Sequence, residues 1–132
     1  MPNKVLVIDD EWTIARALCA RLSANDFDIR TASDGASGLE AAKEFRPAAI
    51  LLDLRMPDMD GFEVLRRLRA DPQLMHIPVI ILSANVQDSV RQEARAFGAA
   101  GFFTKPYDHK HVIASVHDVI AGGTAPSLGG TL

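Results

Sequence analysis

The sequence is poor in several features that would announce a functional class. It holds one cysteine, Cys19, so it cannot close an intramolecular disulfide, and such sparing use leans toward a reducing compartment. It lacks a basic surplus: 14 Lys and Arg stand against 17 Asp and Glu, for a formal net charge of -3. Without that surplus, direct binding to nucleic acid or to an anionic membrane surface is not expected. Long apolar runs are missing too. The longest uncharged one, residues 77 to 84, falls far short of the roughly 20 residues that span a bilayer. Only four apolar residues separate the opening Met-Pro-Asn-Lys from Asp9, which leaves no room for a secretory signal, and a soluble cytoplasmic protein is expected. No Gly-x-Gly-x-x-Gly follows the first apolar run, which argues against dinucleotide binding.

What the chain does have is alternation. Its 132 residues are 48% hydrophobic, enough for one core that needs no disulfide or metal to fold. Val5 to Ile8, Ala48 to Leu52 and Val79 to Leu82 are nearly continuous apolar runs, as expected of strands buried on both faces. Phe27 to Thr31 and Gly101 to Thr104 are weaker and suit sheet edges. Between them, apolar residues recur at helical spacing: Ile14, Leu18 and Leu22; Leu39, Ala42 and Phe45; Phe62, Leu65 and Leu68; Val86, Val90, Ala94 and Phe97; Val112, Val116 and Val119. Five strands therefore alternate with five helices.

Punctuation agrees with this reading. Asp60 with Glu63 reads as a capping box, Asn85 as the cap of the fourth helix, and Gly98 as its stop, while Pro47, Pro57, Pro72, Pro78 and Pro106 fall between elements. Too few βα units are present for a closed barrel. The expected fold is α/β, a doubly wound five-stranded parallel sheet of order 2-1-3-4-5 with helices on two faces. Residues 1–121 form the expected domain, and the Gly-rich stretch 122–132 reads as a flexible tail or linker.

In an open parallel sheet all strands finish on one edge, so residues that follow different strands meet there. Asp9 and Asp10 end the first strand, Asp53 the third, Ser83 the fourth and Lys105 the fifth. Neighbouring strands lie about 4.8 Å apart, which sets three carboxylates facing one another across the first and third strands. Two unit charges about 4 Å apart repel by about 4 kcal/mol at an effective dielectric of 20. A hard cation relieves this, and an oxygen-only donor set suits Mg²⁺, with Mn²⁺ as a substitute. With Lys105 as a point charge for an anion and Ser83 as a hydroxyl, the set is equipment for phosphoryl transfer, and Asp53, centrally placed, is the nucleophile.

These residues carry a family resemblance. The segments Val-Ile-Asp-Asp-Glu11, Leu-Leu-Asp53-Leu-Arg-Met-Pro-Asp-Met-Asp-Gly61, Ser83-Ala84 and Lys105-Pro106 resemble, in order and spacing, the motifs of a response-regulator receiver domain of two-component signalling. The resemblance covers residues 4 to about 121. It implies that Asp53 accepts a phosphoryl group from a phosphohistidine on a sensor histidine kinase or a histidine phosphotransfer protein. It further implies that Asp10 binds the metal directly, Asp9 through a water, and the backbone carbonyl of Arg55 completes the protein ligands. Ser83, the backbone N–H of Ala84 and Lys105 would hold the phosphoryl oxygens. Ser83 and Phe102 would be the moving parts of the switch, and the Lys105–Pro106 peptide would be cis. Arg55 and Asn85 stand where the family tunes phosphate lifetime. The output face, through which similar domains also form homodimers, would comprise the fourth helix, fifth strand and fifth helix, acting on a downstream effector.

Plainer roles suit other residues. One of Asp9 and Asp10 is expected to cap the first helix. Asp58 and Asp60 read as a turn and a cap, and Arg66, Arg67 and Arg69 as a solvated face whose first two members pair with Glu63. His109 and His111 are badly spaced for a metal, Trp12 lies close enough to the acidic pair to report on metal optically, and Cys19 reads as core. Two rivals stand beside the switch. A haloacid-dehalogenase-type phosphatase needs an acid two residues after its nucleophile, where Arg55 stands, and a receiver-like interaction module would never be phosphorylated. The chain is not expected to be an enzyme beyond catalysing its own phosphoryl transfer and hydrolysis.

Overall fold

The computed structural model describes residues 3–85 and 87–122. Its elements alternate throughout: β1 (Lys4–Ile8), α1 (Trp12–Ala24), β2 (Asp28–Ala32), α2 (Gly35–Phe45), β3 (Ala49–Asp53), α3 (Gly61–Ala70), β4 (Val79–Ser83), α4 (Asp88–Ala96), β5 (Gly101–Thr104) and α5 (His109–Ile120). The strands form one parallel sheet in the order β2-β1-β3-β4-β5. The expected fold class and strand order are those observed.

The continuous apolar runs are explained by a core on each side of the sheet. Val5, Val7, Leu51, Ile80, Leu82 and Phe103 pack under α1 and α5, while Leu6, Ile8, Ile50, Leu52, Ile81 and Phe102 pack under α2, α3 and α4. Each fully buried Leu or Ile contributes roughly 1.5–3 kcal/mol of transfer free energy. The edge strand β2 has no fully buried residue. It starts at Asp28, one residue after the expected Phe27, because the Phe27 ring drops into the α1–α5 core and meets His117 with ring centroids 4.8 Å apart.

Three further expectations are corrected. Neither Asp9 nor Asp10 caps α1: the N-cap position is Glu11, which makes no side-chain cap bond, and Asp9 Oδ1 accepts the Glu11 amide at 2.8 Å. The fourth helix begins at Asp88 behind Gln87, so Asn85 is not its cap; Asn85 Oδ1 accepts the Gln87 amide in a turn that precedes the helix, and Val86 lies outside the described residues. The capping box at α3 is half formed. Asp60 accepts the Phe62 amide, whereas Glu63 turns to Arg66 and Arg67.

Arg69 departs from the solvated face expected for it. Its guanidinium donates to the carbonyls of Met75 and Ile77 at 2.9 Å and of Gly98 at 3.2 Å, stapling α3 to both loops behind it. Gly98 holds φ +87, the left-handed conformation that ends α4, and its amide and that of Ala99 return to the carbonyls of Arg95 and Ala94. The last helix, α5, ends at its C-cap Ala121. The tail expected after it lies, from residue 123 on, outside the described residues.

Candidate functional site

Asp53 is the last residue of β3, and Asp9 follows β1 directly, so the pairing of these strands brings the two carboxylates together. Alternation decides which way they point. Asp9 continues the parity of Val5 and Val7, Asp53 that of Ala49 and Leu51, and Lys105 that of Phe103, all on the α1–α5 side; Ser83 has the opposite parity. Three charged groups thus converge from one face and the hydroxyl approaches from the other.

Lys105 Nζ sits 3.2 Å from Asp53 Oδ2, 3.3 Å from Asp9 Oδ2 and 3.2 Å from Glu11 Oε1. The side chains of Asp9, Asp53 and Lys105 are 1%, 3% and 9% exposed, so the ion pairs are largely shielded from water. Carboxylate oxygens of Asp9, Asp10, Glu11 and Asp53 all lie within 4.8 Å of one another, with Asp10 and Glu11 on the exposed side. Such an all-oxygen donor set fits a small hard cation. Burial pushes the Asp53 carboxyl up to about 6, helped by Asp9 and opposed by the Arg55 amide, which donates to Asp53 Oδ1 at 3.1 Å, and by Lys105. Burial alone would lower Lys105, but the carboxylates of Asp53 and Asp9 overrule it and hold the ammonium above its ordinary value.

On the other side of the strand end, Ser83 is buried and its Oγ accepts the Asn85 amide at 3.0 Å, while its carbonyl accepts the Lys105 amide at 2.7 Å. The Lys105–Pro106 peptide is cis. Asp53, Arg55, Ser83, Ala84, Asn85 and Lys105 line one open cleft of about 470 Å³, whereas Asp9 lines a second groove and Asp10 lines neither. Phe102 lies outside the cleft. The ring is 1% exposed, packed under α2, α3 and α4, and covered by the Arg91 guanidinium 4.9 Å from its centroid. Trp12, half exposed, faces a second groove that includes Asp9. Cys19 packs partly buried against the α1–α5 core, and burial raises its thiol.

The description of one family model, response regulator receiver domain, matches residues 5–117. This chain belongs to that family. Among curated relatives, the receiver chain is 40% identical over 119 residues to the response regulator PleD of Caulobacter vibrioides, covering 90% of this chain and 26% of PleD. It is also 40% identical over 121 residues to the transcriptional regulatory protein KdpE of Mycobacterium tuberculosis, covering 92% of this chain and 52% of KdpE. It thus spans about a quarter to a half of these relatives. The solved receiver domain of Francisella response regulator 1452 superposes with TM-score 0.85 at 32% identity, covering 91% of this chain and 98% of that one.

Sequence reasoning missed four participants in this receiver domain. Glu11 was signalled as a third consecutive acid, but nothing in the sequence says that its side chain turns back to Lys105. Asp58, read as a turn residue, also accepts the amides of Gly35 and Ala36 across the molecule. Arg69 was read as part of a solvated face, and Arg91, whose guanidinium covers the Phe102 ring, was not singled out.

Proposed function

We propose that this receiver domain is a phosphorylation-controlled switch whose acceptor is Asp53. The observation that carries the reading is the strand-end cluster: a buried carboxylate between an acidic, cation-suited pocket and a buried ammonium, with a hydroxyl on the opposite side. Asp9, Asp10, Asp53 and the Arg55 backbone carbonyl would hold Mg²⁺, or Mn²⁺ in its place. When bound, the cation supplies positive charge to the phosphoryl oxygens.

The chain's own residues do the rest. A carboxylate oxygen of Asp53 attacks the phosphorus of a phosphohistidine, the new O–P bond forms as the P–N bond breaks, and the imidazole leaves. Lys105 gives up its contact with Asp53 Oδ2 and pairs with a phosphoryl oxygen. Ser83 Oγ, which now accepts from the Asn85 amide, carries a proton that it donates to another. The Ala84 amide holds a third. The new charge draws Ser83 toward the phosphate, and α4, β5 and α5 form the face that reads the change, with Phe102 as the aromatic beneath it. The donor is a sensor histidine kinase or histidine phosphotransfer protein, and the recipient of the signal is an effector domain or protein. Arg55 and Asn85 at the rim set how long the aspartyl phosphate lasts.

The test is intact mass after incubation with Mg²⁺ and acetyl phosphate. One added phosphoryl mass that requires both Asp53 and the metal supports the switch. A folded protein that gains no mass under any condition, including short incubations, refutes it in favour of an unphosphorylated interaction module.

A further inference from the structure

The loop from Leu54 to Asp60 is fastened sideways by a residue outside the acidic cluster. Asp58 Oδ1 accepts the Gly35 amide at 2.8 Å and Asp58 Oδ2 accepts the Ala36 amide at 3.1 Å. These are the first two amides of α2, which have no acceptor inside their own helix. The helix's own N-cap, Asp34, serves Ser37 instead. The two amides hold the Asp58 carboxyl below the usual carboxylate range, so the tie persists through neutral and mildly acidic pH.

Close packing reinforces the tie. A Cβ on Gly35 would stand 2.8 Å from Met59 Cβ, so the start of α2 lies directly against the loop and only glycine permits the approach. The same loop is fixed at its two ends, where the Arg55 amide donates to Asp53 and the Gly61 amide donates to the Leu54 carbonyl at 3.0 Å. Asp58 holds the middle.

We infer that Asp58 is a positioning residue for the cation pocket, clamping the Asp53–Arg55 segment to α2 so that the pocket keeps its spacing before a cation arrives. This rests on the reading of Asp9, Asp10, Asp53 and Arg55 as that pocket. Clustered carboxylates push apart, and a loop free in its middle lets Arg55 drift from Asp53. Each cation bound must then reorder the loop, and affinity falls. Outer partners of this kind typically change metal affinity by about 10- to 100-fold.

Calorimetric titration with MgCl₂, with melting curves on the same samples, tests this on four proteins: wild type, Asp58→Ala, Asp58→Asn and Ala36→Pro. Ala36→Pro deletes one of the two donated amides without changing charge, at a first-turn position where proline is tolerated. The expected result is about tenfold weaker Mg²⁺ binding in Asp58→Ala, with smaller losses in Asp58→Asn and Ala36→Pro. A lower melting temperature with unchanged affinity in Asp58→Ala would make the tie purely structural and overturn the inference. So would weakening in both Asp58 variants but not in Ala36→Pro, since charge alone would then explain it. A wild-type protein that binds no Mg²⁺ overturns the pocket itself, a distinct failure visible before any variant is compared.

Discussion

The two loops that flank Asp53 differ in how their backbones are held. The β3–α3 loop is bonded at Arg55, Asp58, Asp60 and Gly61, and it leads into a helix that buries Val64, Leu65 and Leu68. Among the described residues, the β4–α4 loop is held by a short relay, Asn85 amide to Ser83 Oγ and Gln87 amide to Asn85 Oδ1. It leads into a helix with no side-chain N-cap and one fully buried residue, Ala94. One wall of the cleft is built to stay and the other to give. Elements with few buried contacts open at low free energy, and moving parts are drawn from them. Hydrogen exchange should accordingly show α3 amides protected well beyond those in the first turns of α4.

The firm wall breaks most severely at Gly61, where a Cβ would stand 2.5 Å from Leu54 Cα, backbone that cannot step aside. Gly61→Ala is expected to cost about 3 kcal/mol in urea unfolding, more than any single change in the β4–α4 loop. Next comes the charge between the walls. Because Asp53 titrates near 6 in the folded protein against an ordinary 3.8, the folded state binds this proton more tightly than the unfolded chain does. Its contribution to stability is full below about 4, is lost as pH rises to about 6 and stays lost above. In EDTA, Asp53→Asn should therefore be more stable than wild type at pH 7 by roughly 1–3 kcal/mol, with the gap closing near pH 4.

The compliant wall can be stiffened. Gln87→Ser supplies the missing cap and is expected to add about 1 kcal/mol, with slower exchange confined to the start of α4. Arg91→Met removes the cation over Phe102 while keeping the apolar stem. A loss of about 0.5–1 kcal/mol is expected, recovered in part by Arg91→Lys. Equal exchange rates in α3 and α4 would dissolve the comparison.

Much of this was legible in the sequence for a topological reason. A parallel sheet sends every strand end to one edge, so Asp9, Asp53, Ser83 and Lys105 could be gathered by counting from apolar runs that alternate with helical ones. The same logic gave the fold, because Val5 to Ile8 and Val79 to Leu82 leave no polar face and must be covered twice. What escaped were contacts decided by side-chain reach across elements. Asp58 looked like a turn residue because its partners, Gly35 and Ala36, lie more than twenty positions upstream. Arg69 was grouped with Arg66 and Arg67 on a solvated face, although its guanidinium reaches the carbonyls of Met75, Ile77 and Gly98. The start of α4 was misjudged because Asn85 is a good cap by type, and the chain spends it on a turn before the helix.

The Arg69 staple has a mechanical consequence. It grips the Gly98 carbonyl at the far end of α4 through a guanidinium that keeps its proton at any physiological pH, so that end is a fulcrum. A nine-residue helix is about 13 Å long. Anchored at one end, it behaves as a lever, and a tilt of about 10° sweeps its free end, beside Ser83 and Asn85, through about 2 Å. A small displacement at the strand edge would then rotate a surface helix about a pivot set by a residue that touches neither Asp53 nor the acidic cluster.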